Sequence, residues 1–259
     1  MDNVEKITKI FSNSGYNVSS KIYLPKEINI KAFVIACHGF GGDKESTAIA
    51  LLAKELNKNN IAVISFDFPG HGESEVLADK LTIKNCMDDI NSVGKYIKEI
   101  YGNVKIGIFA TSFGAYITIL NLLENKSNYF TIVLRSPAIC MDKVFKNSLL
   151  KEDFNEFIKR GYSVLGYERK MDISYDFYEA LVKNDLFLKY NIDKEIYILH
   201  GTKDDIVPIE DIIDFIKGKN IILEKIYDAD HRMKNDNKLQ ETIDFAVKYI
   251  LNCDEKIDK

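Results

Sequence analysis

Five nearly uninterrupted apolar runs, separated by longer stretches of mixed polarity, constrain this chain more than any other feature. They are AFVIA (32–36), IAVISF (61–66), KIGIFA (105–110), FTIVLR (130–135) and EIYILH (195–200). A strand with one wet face alternates apolar and polar residues, so a run without alternation belongs to a strand covered on both faces. Between and after the runs, apolar residues recur at helical spacing, at about 45–58, 83–101, 113–125, 208–217 and 236–251. Buried strands alternating with amphipathic helices predict an α/β fold, a mostly parallel twisted sheet with helices on both faces. A last strand is predicted at 221–227. The opening residues, 4–12 and 17–24, do alternate, around SNSG, and predict an antiparallel hairpin that extends the sheet.

Residues 142–192 break this rhythm. They are polar, rich in aromatics and without a strong strand. About 50 residues are too few for a comfortable independent core. The chain therefore reads as one core, 1–141 with 193–259, and a small cap inserted at 142–192 over one edge of the sheet. The cap carries Tyr162, Tyr167, Tyr175, Phe177, Tyr178, Phe187 and Tyr190. A hairpin-and-helix cap over an apolar or aromatic acyl pocket is one reading of these; aromatics packed against one another is the other. The polar tail NCDEKIDK is expected to fray.

Composition excludes several classes of function. The net charge is −4, and the basic clusters are short and interrupted by acids, so no nucleic-acid partner is expected. No apolar run approaches the roughly 20 residues of a membrane helix, so no membrane span is expected. The N-terminus lacks a basic segment followed by an apolar one, which predicts a cytoplasmic protein. Cys37, Cys86, Cys140 and Cys253 show no CxxC spacing and read as reduced, packed thiols. No ligand spacing for a metal accompanies the histidines. GFGG (39–42) imitates a dinucleotide loop but lacks its final glycine, and no G-K-[ST] occurs, so no cofactor is expected. A homodimer is left open.

In a parallel α/β sheet, ligands bind beyond the C-terminal ends of the strands. All four histidines, His38, His71, His200 and His231, fall there. So does Ser112, in VKIGIFATSFGAYI, where a strand passes directly into a helix. That corner strains the backbone, projects the hydroxyl above the sheet and requires small neighbours, here Ala110 and Gly114. An N-cap role for Ser112 is the rival reading. A serine hydroxyl needs a base, and the base needs an orienting acid. Asp204, four residues past a strand end in HGTKDDIVP, and His231, in DADHRM, supply the order Ser…Asp…His; Asp204 is preferred to its neighbour Asp205 on that spacing. The backbone N–H groups of Phe40 and Phe113 are candidate donors to an oxyanion. Candidate substrate contacts are Arg135, Tyr162, Tyr167 and His38; His38, which precedes Gly39, reads also as a structural residue that shapes the oxyanion loop. Arg135 interrupts an apolar run and would meet either a substrate carboxylate or a buried acid. His71 and His200 read as structural.

At CHGFGGDK, FDFPGHGES, FATSFGA, HGTKDDIVP and DADHR the chain resembles the α/β-hydrolase superfamily, and within it bacterial serine carboxylesterases of the feruloyl/cinnamoyl type. The resemblance covers roughly 18–141 and 193–250. It implies an α/β-hydrolase fold, Ser112 as nucleophile, His231 as general base, Asp204 as orienting acid and Phe40 and Phe113 as oxyanion amides. The implied activity is cleavage of small or aromatic carboxylic esters through an acyl-enzyme. A thioesterase, a lysophospholipase, a monoacylglycerol-lipase-like hydrolase and a peptidase use the same residues, and a non-catalytic binding protein can share the fold. The chain departs from G-x-S-x-G at Ala110, and 142–192 matches no particular subfamily, which leaves the substrate open.

Overall fold

A computed structural model describes residues 4–26, 29–125, 128–166, 169–234 and 237–257. The hairpin β1 (Val4–Phe11) and β2 (Asn17–Leu24) is followed by β3 (Ala32–Cys37), α1 (Thr47–Asn57), β4 (Ile61–Phe66), α2 (Ile83–Tyr101), β5 (Lys105–Thr111) and α3 (Phe113–Asn125). Then come β6 (Ile132–Arg135), α4 (Met141–Val144) continuing into a π-turn (Phe145–Leu149), α5 (Phe154–Arg160), the hairpin β7 (Tyr162–Leu165) and β8 (Met171–Ser174), α6 (Tyr175–Lys183) and α7 (Leu186–Lys189). The chain finishes with β9 (Ile196–Gly201), α8 (Ile209–Ile216), β10 (Ile221–Ile226) and α9 (Lys238–Ile257).

Eight strands form one sheet in the order β1-β2-β4-β3-β5-β6-β9-β10. Only β1–β2 and β2–β4 pair antiparallel; the rest are parallel. The two-residue period of a strand explains why the apolar runs are continuous. In β3, Phe33, Ile35 and Cys37 enter the layer under α2 and α3, while Ala32, Val34 and Ala36 enter the layer under α1 and α9. Each of β3, β4, β5, β6 and β9 thus serves two cores at once.

The segment 142–192 has no core of its own. Phe145, Phe157, Ile173, Phe177 and Leu181 join the same buried cluster as Phe113 and Tyr116 of the sheet's helical layer. Most cap aromatics pack on one another, with Tyr178 against Phe145, Phe154 and Tyr175 at ring separations of 5.1–5.9 Å.

One expectation needs correcting: the predicted strand 130–135 begins only at Ile132. Helix α9 runs into the polar tail as far as Ile257, and its apolar stripe Ile243, Ala246, Ile250, Cys253 packs into the core. All four cysteines are buried and free. Among the described residues no helix is long and apolar enough to cross a membrane.

Candidate active site

The junction of β5 and α3 leaves no residue of ordinary backbone for a turn. Ser112 takes it up alone with φ +50°, in the left-handed region that non-glycine residues rarely adopt. Its N–H is held by the Arg135 carbonyl at 3.0 Å, and its own carbonyl accepts from Tyr116 at 3.1 Å, the first turn of α3. The side chain is left at the top of the sheet, partly exposed.

Close approach requires the small residues around it. A Cβ on Gly39 would lie 3.3 Å from Ser112 Cβ. The loop after β3 therefore passes directly beside the hydroxyl-bearing residue. That loop is pinned at both ends. His38 Nε2 accepts from Phe68 N–H at 3.1 Å, and its Nδ1–H donates to Gly39 O at 2.8 Å. Lys44, buried, bonds Asp67 at 2.9 Å and Glu73 at 2.6 Å, and its N–H donates to Asp67 Oδ1 at 2.7 Å. Between these anchors the Phe40 ring packs edge-on against Phe113, centroids 5.8 Å apart. The Phe40 and Phe113 N–H groups have no acceptor among the described residues; such free amides flanking a nucleophile are what a developing oxyanion requires.

Three residues distant in the chain meet here. Ser112 Oγ lies 3.0 Å from His231 Nε2, and His231 Nδ1–H donates to Asp204 Oδ2 at 2.8 Å. Asp204 Oδ1 accepts the N–H groups of Ile206 and Val207 at 3.0 and 2.8 Å. Burial alone would raise the Asp204 carboxyl, but the His231 bond, the fields of His231 and His200 and the Val207 N–H outweigh it and hold it below its ordinary value. A buried carboxylate fixes the tautomer of the imidazole, leaving Nε2 free to accept a proton. Asp205 is exposed.

Burial pushes His38 down to about 4 and His71 down to about 3, and it lowers His200 as well. Both ring nitrogens of His38 are engaged inside the fold, which favours its reading as the residue that shapes the loop at Gly39 over its reading as a substrate contact. Tyr162 fails the expectation of a substrate contact. In β7, Ser163 and Leu165 point inward, so Tyr162 is turned outward, under the Arg160 guanidinium at 5.4 Å. Arg135 is buried and makes no ion pair with an acid among the described residues, although the fields of Asp230 and Asp204 act on its charge. Its Nη2 donates to Arg232 O at 2.7 Å. Tyr167 lies outside the described residues.

Some contacts around the site had no readable signal. Ser136 Oγ donates to His231 O at 3.1 Å. Arg169, at the cap hairpin, donates to the carbonyls of His71, Gly72, Ser74 and Val76, joining the cap to the loop after β4. Among the described residues no group of three or more His, Cys, Asp or Glu side chains is placed to hold a metal ion.

Residues 28–186 match the family model described as Serine aminopeptidase, S33. A curated relative, the monoglyceride lipase homolog of Monkeypox virus, is 26% identical over 242 residues, covering 82% of this chain and 86% of its own length. Among solved structures, the ferulic-acid complex of Est1E from Butyrivibrio proteoclasticus superposes with a TM-score of 0.80 at 20% identity, covering 94% of this chain and 99% of that one. The esterase Pf2001 of Pyrococcus furiosus gives 0.72 at 21%, covering 96% of this chain and 93% of that one. The shared architecture is the α/β-hydrolase fold.

Proposed function

Because the chain belongs to the Serine aminopeptidase, S33 family of α/β hydrolases, we propose that it is a serine hydrolase of carboxylic esters with small or aromatic acyl groups. The reading rests on one observation, the hydrogen-bonded chain from Asp204 through His231 to Ser112 at 2.8 and 3.0 Å. In this reading His231 Nε2 takes the Ser112 proton as Oγ attacks the ester carbonyl. The carbonyl electrons move to the oxygen, which the Phe40 and Phe113 N–H groups receive. The tetrahedral intermediate collapses, the C–O bond to the alcohol breaks, and His231 gives its proton to the departing alkoxide. Water then repeats the sequence on the acyl-enzyme and releases the acid. The structural likeness to Est1E, seen with ferulic acid bound, supports a small aromatic acid.

A second reading, a monoacylglycerol-lipase-like hydrolase, is favoured by the viral relative and by apolar residues on the outside of the cap, Leu188 at 85% exposure above all. Such a surface suits an enzyme working at a lipid interface.

A fluorophosphonate probe tests the common core of both. Wild type should be labelled and Ser112→Ala should not; an unlabelled, folded wild type would instead favour a binding protein. p-Nitrophenyl esters of rising chain length, hydroxycinnamate esters and monoacylglycerol then separate the readings. Strong preference for long acyl chains would remove the small-ester reading.

A further inference from the structure

Arg135 ends an apolar strand with a charge; the residue is 7% exposed, and Asp230 and Asp204, whose fields act on it, make no ion pair with it among the described residues. Its Nε has no hydrogen-bond partner. Burial outweighs the fields of Asp230 and Asp204 and pushes the guanidinium below its ordinary value, down to about 10, so stability alone does not account for a cation here. What it touches is informative. Nη2 donates to Arg232 O at 2.7 Å, and the next residue, Ser136, donates from Oγ to His231 O at 3.1 Å. Ser136 has φ +44°, and this left-handed step ends the alternation of the strand, so two consecutive side chains reach the same loop.

The same segment also grips the other side of the reaction centre. The Arg135 carbonyl accepts Ser112 N–H at 3.0 Å, and Ala138 N–H donates to Ser112 O at 3.2 Å. Arg135 Nη1 reaches Thr111 Oγ1 at 3.5 Å. The loop carrying His231 is irregular, with Asp228 at φ +60° and Met233 at φ +57°, and its position depends on such outside ties. Residues 135–138 are therefore a single clasp with the hydroxyl-bearing corner on one side and the imidazole-bearing loop on the other.

We propose that Arg135 and Ser136 are positioning residues that set the distance between His231 Nε2 and Ser112 Oγ, an inference that rests on the serine-hydrolase reading above. A permanently charged, planar guanidinium suits the task because it offers separate N–H groups to the Arg232 carbonyl and to Thr111 at fixed angles.

The test uses wild type, Arg135→Lys, Arg135→Met and Ser136→Gly, assayed with p-nitrophenyl acetate and with the fluorophosphonate probe. A misplacement of the reacting groups by about an ångström costs on the order of 10²-fold, so Arg135→Met should lose about that much in kcat with KM held within about twofold. Probe labelling should slow in parallel. Arg135→Lys should fall between, and added guanidinium should partly restore Arg135→Met. Ser136→Gly removes the hydroxyl while relieving the left-handed strain, so it should keep its thermal stability and still lose roughly three- to tenfold in kcat. If Arg135→Met does not fold, Ser136→Gly decides alone. Wild-type kcat in the folded variants, or a loss confined to KM, overturns the proposal while labelling of wild type preserves the hydrolase reading. A wild type that neither labels nor turns over any ester overturns both.

Discussion

Gly114 stands so close to His38 that an added Cβ would lie 2.5 Å from the His38 carbonyl oxygen and 2.9 Å from Cys37 Cβ. Backbone on one side and a buried strand on the other leave nothing that can yield. Gly114→Ala should therefore destabilise the fold by about 1–3 kcal/mol or more, the usual cost of overpacking, and displace the loop carrying Phe40. Chemical denaturation and ester turnover should fall together. Ala110, by contrast, already fits within the core, and Ala110→Gly should cost only about 0.5–1 kcal/mol while leaving kcat within about twofold. A neutral Gly114→Ala would refute the contact.

His231 and Asp204 should separate activity from stability. The His231 side chain is 15% exposed. Its removal leaves Asp204 with the Ile206 and Val207 N–H groups. His231→Ala should lose about 10⁴-fold or more in kcat at nearly unchanged melting temperature. Asp204→Ala should lose activity and also stability, because two buried N–H groups lose their acceptor at about 1–3 kcal/mol each. Equal unfolding in both variants would mean that His231 is a core residue.

The acid limb of kcat/KM should follow a single proton. Burial holds His38 and His71 down to about 4 and about 3, so neither adds a proton to the acid limb above those values. A limiting log–log slope of about one is expected. A slope of two would show that a second histidine is coupled to turnover.

Asp89 gives the fold a pH dependence of its own. It is buried under the β1–β2 turn, where Ser12 Oγ and Tyr16 OH donate to it at 2.6 and 3.0 Å. Burial dominates those two bonds and raises its carboxyl to about 7. The native state thus holds the proton more tightly than the unfolded chain. The contribution is complete below the ordinary carboxyl value near 4, is lost as pH rises to about 7, and is level above that. Asp89→Asn should abolish this decline, gaining on wild type progressively across that window in urea titrations. A wild-type-minus-variant difference that is flat with pH would sink the assignment.

Arg169 holds the cap to the core through four carbonyls of the 71–76 loop. Hydrogen bonds from a charged donor contribute about 1.5–3 kcal/mol, and Arg169→Ala should release the β7–β8 hairpin before the sheet unfolds. Limited proteolysis should cut the variant near that hairpin while the core fragment stays intact. Identical cleavage of wild type and variant would argue that the cap is held by its aromatics alone.

The layer order was legible along the chain because burial on two faces writes itself locally. Each strand must be apolar at every position, and each helix at every third or fourth. The Ser112 corner was legible for a similar reason, since a strand that meets a helix without a turn forces small residues at fixed offsets. Asp204 and His231 were found by their positions after strand ends, which the parallel topology collects at one edge. The partners of His38 and Arg135 and the outward turn of Tyr162 were not legible. His38 accepts from a residue 30 positions away, Arg135 donates to one 97 positions away, and Tyr162 was turned outward by the phase of a strand only four residues long. By itself the sequence determined which segments are buried and which residue types stand at the C-terminal edge of the sheet. Only the tertiary structure decided which of those residues are used up inside the fold, because hydrogen-bond partners far apart in the chain are chosen by packing, and packing has no period that a sequence displays.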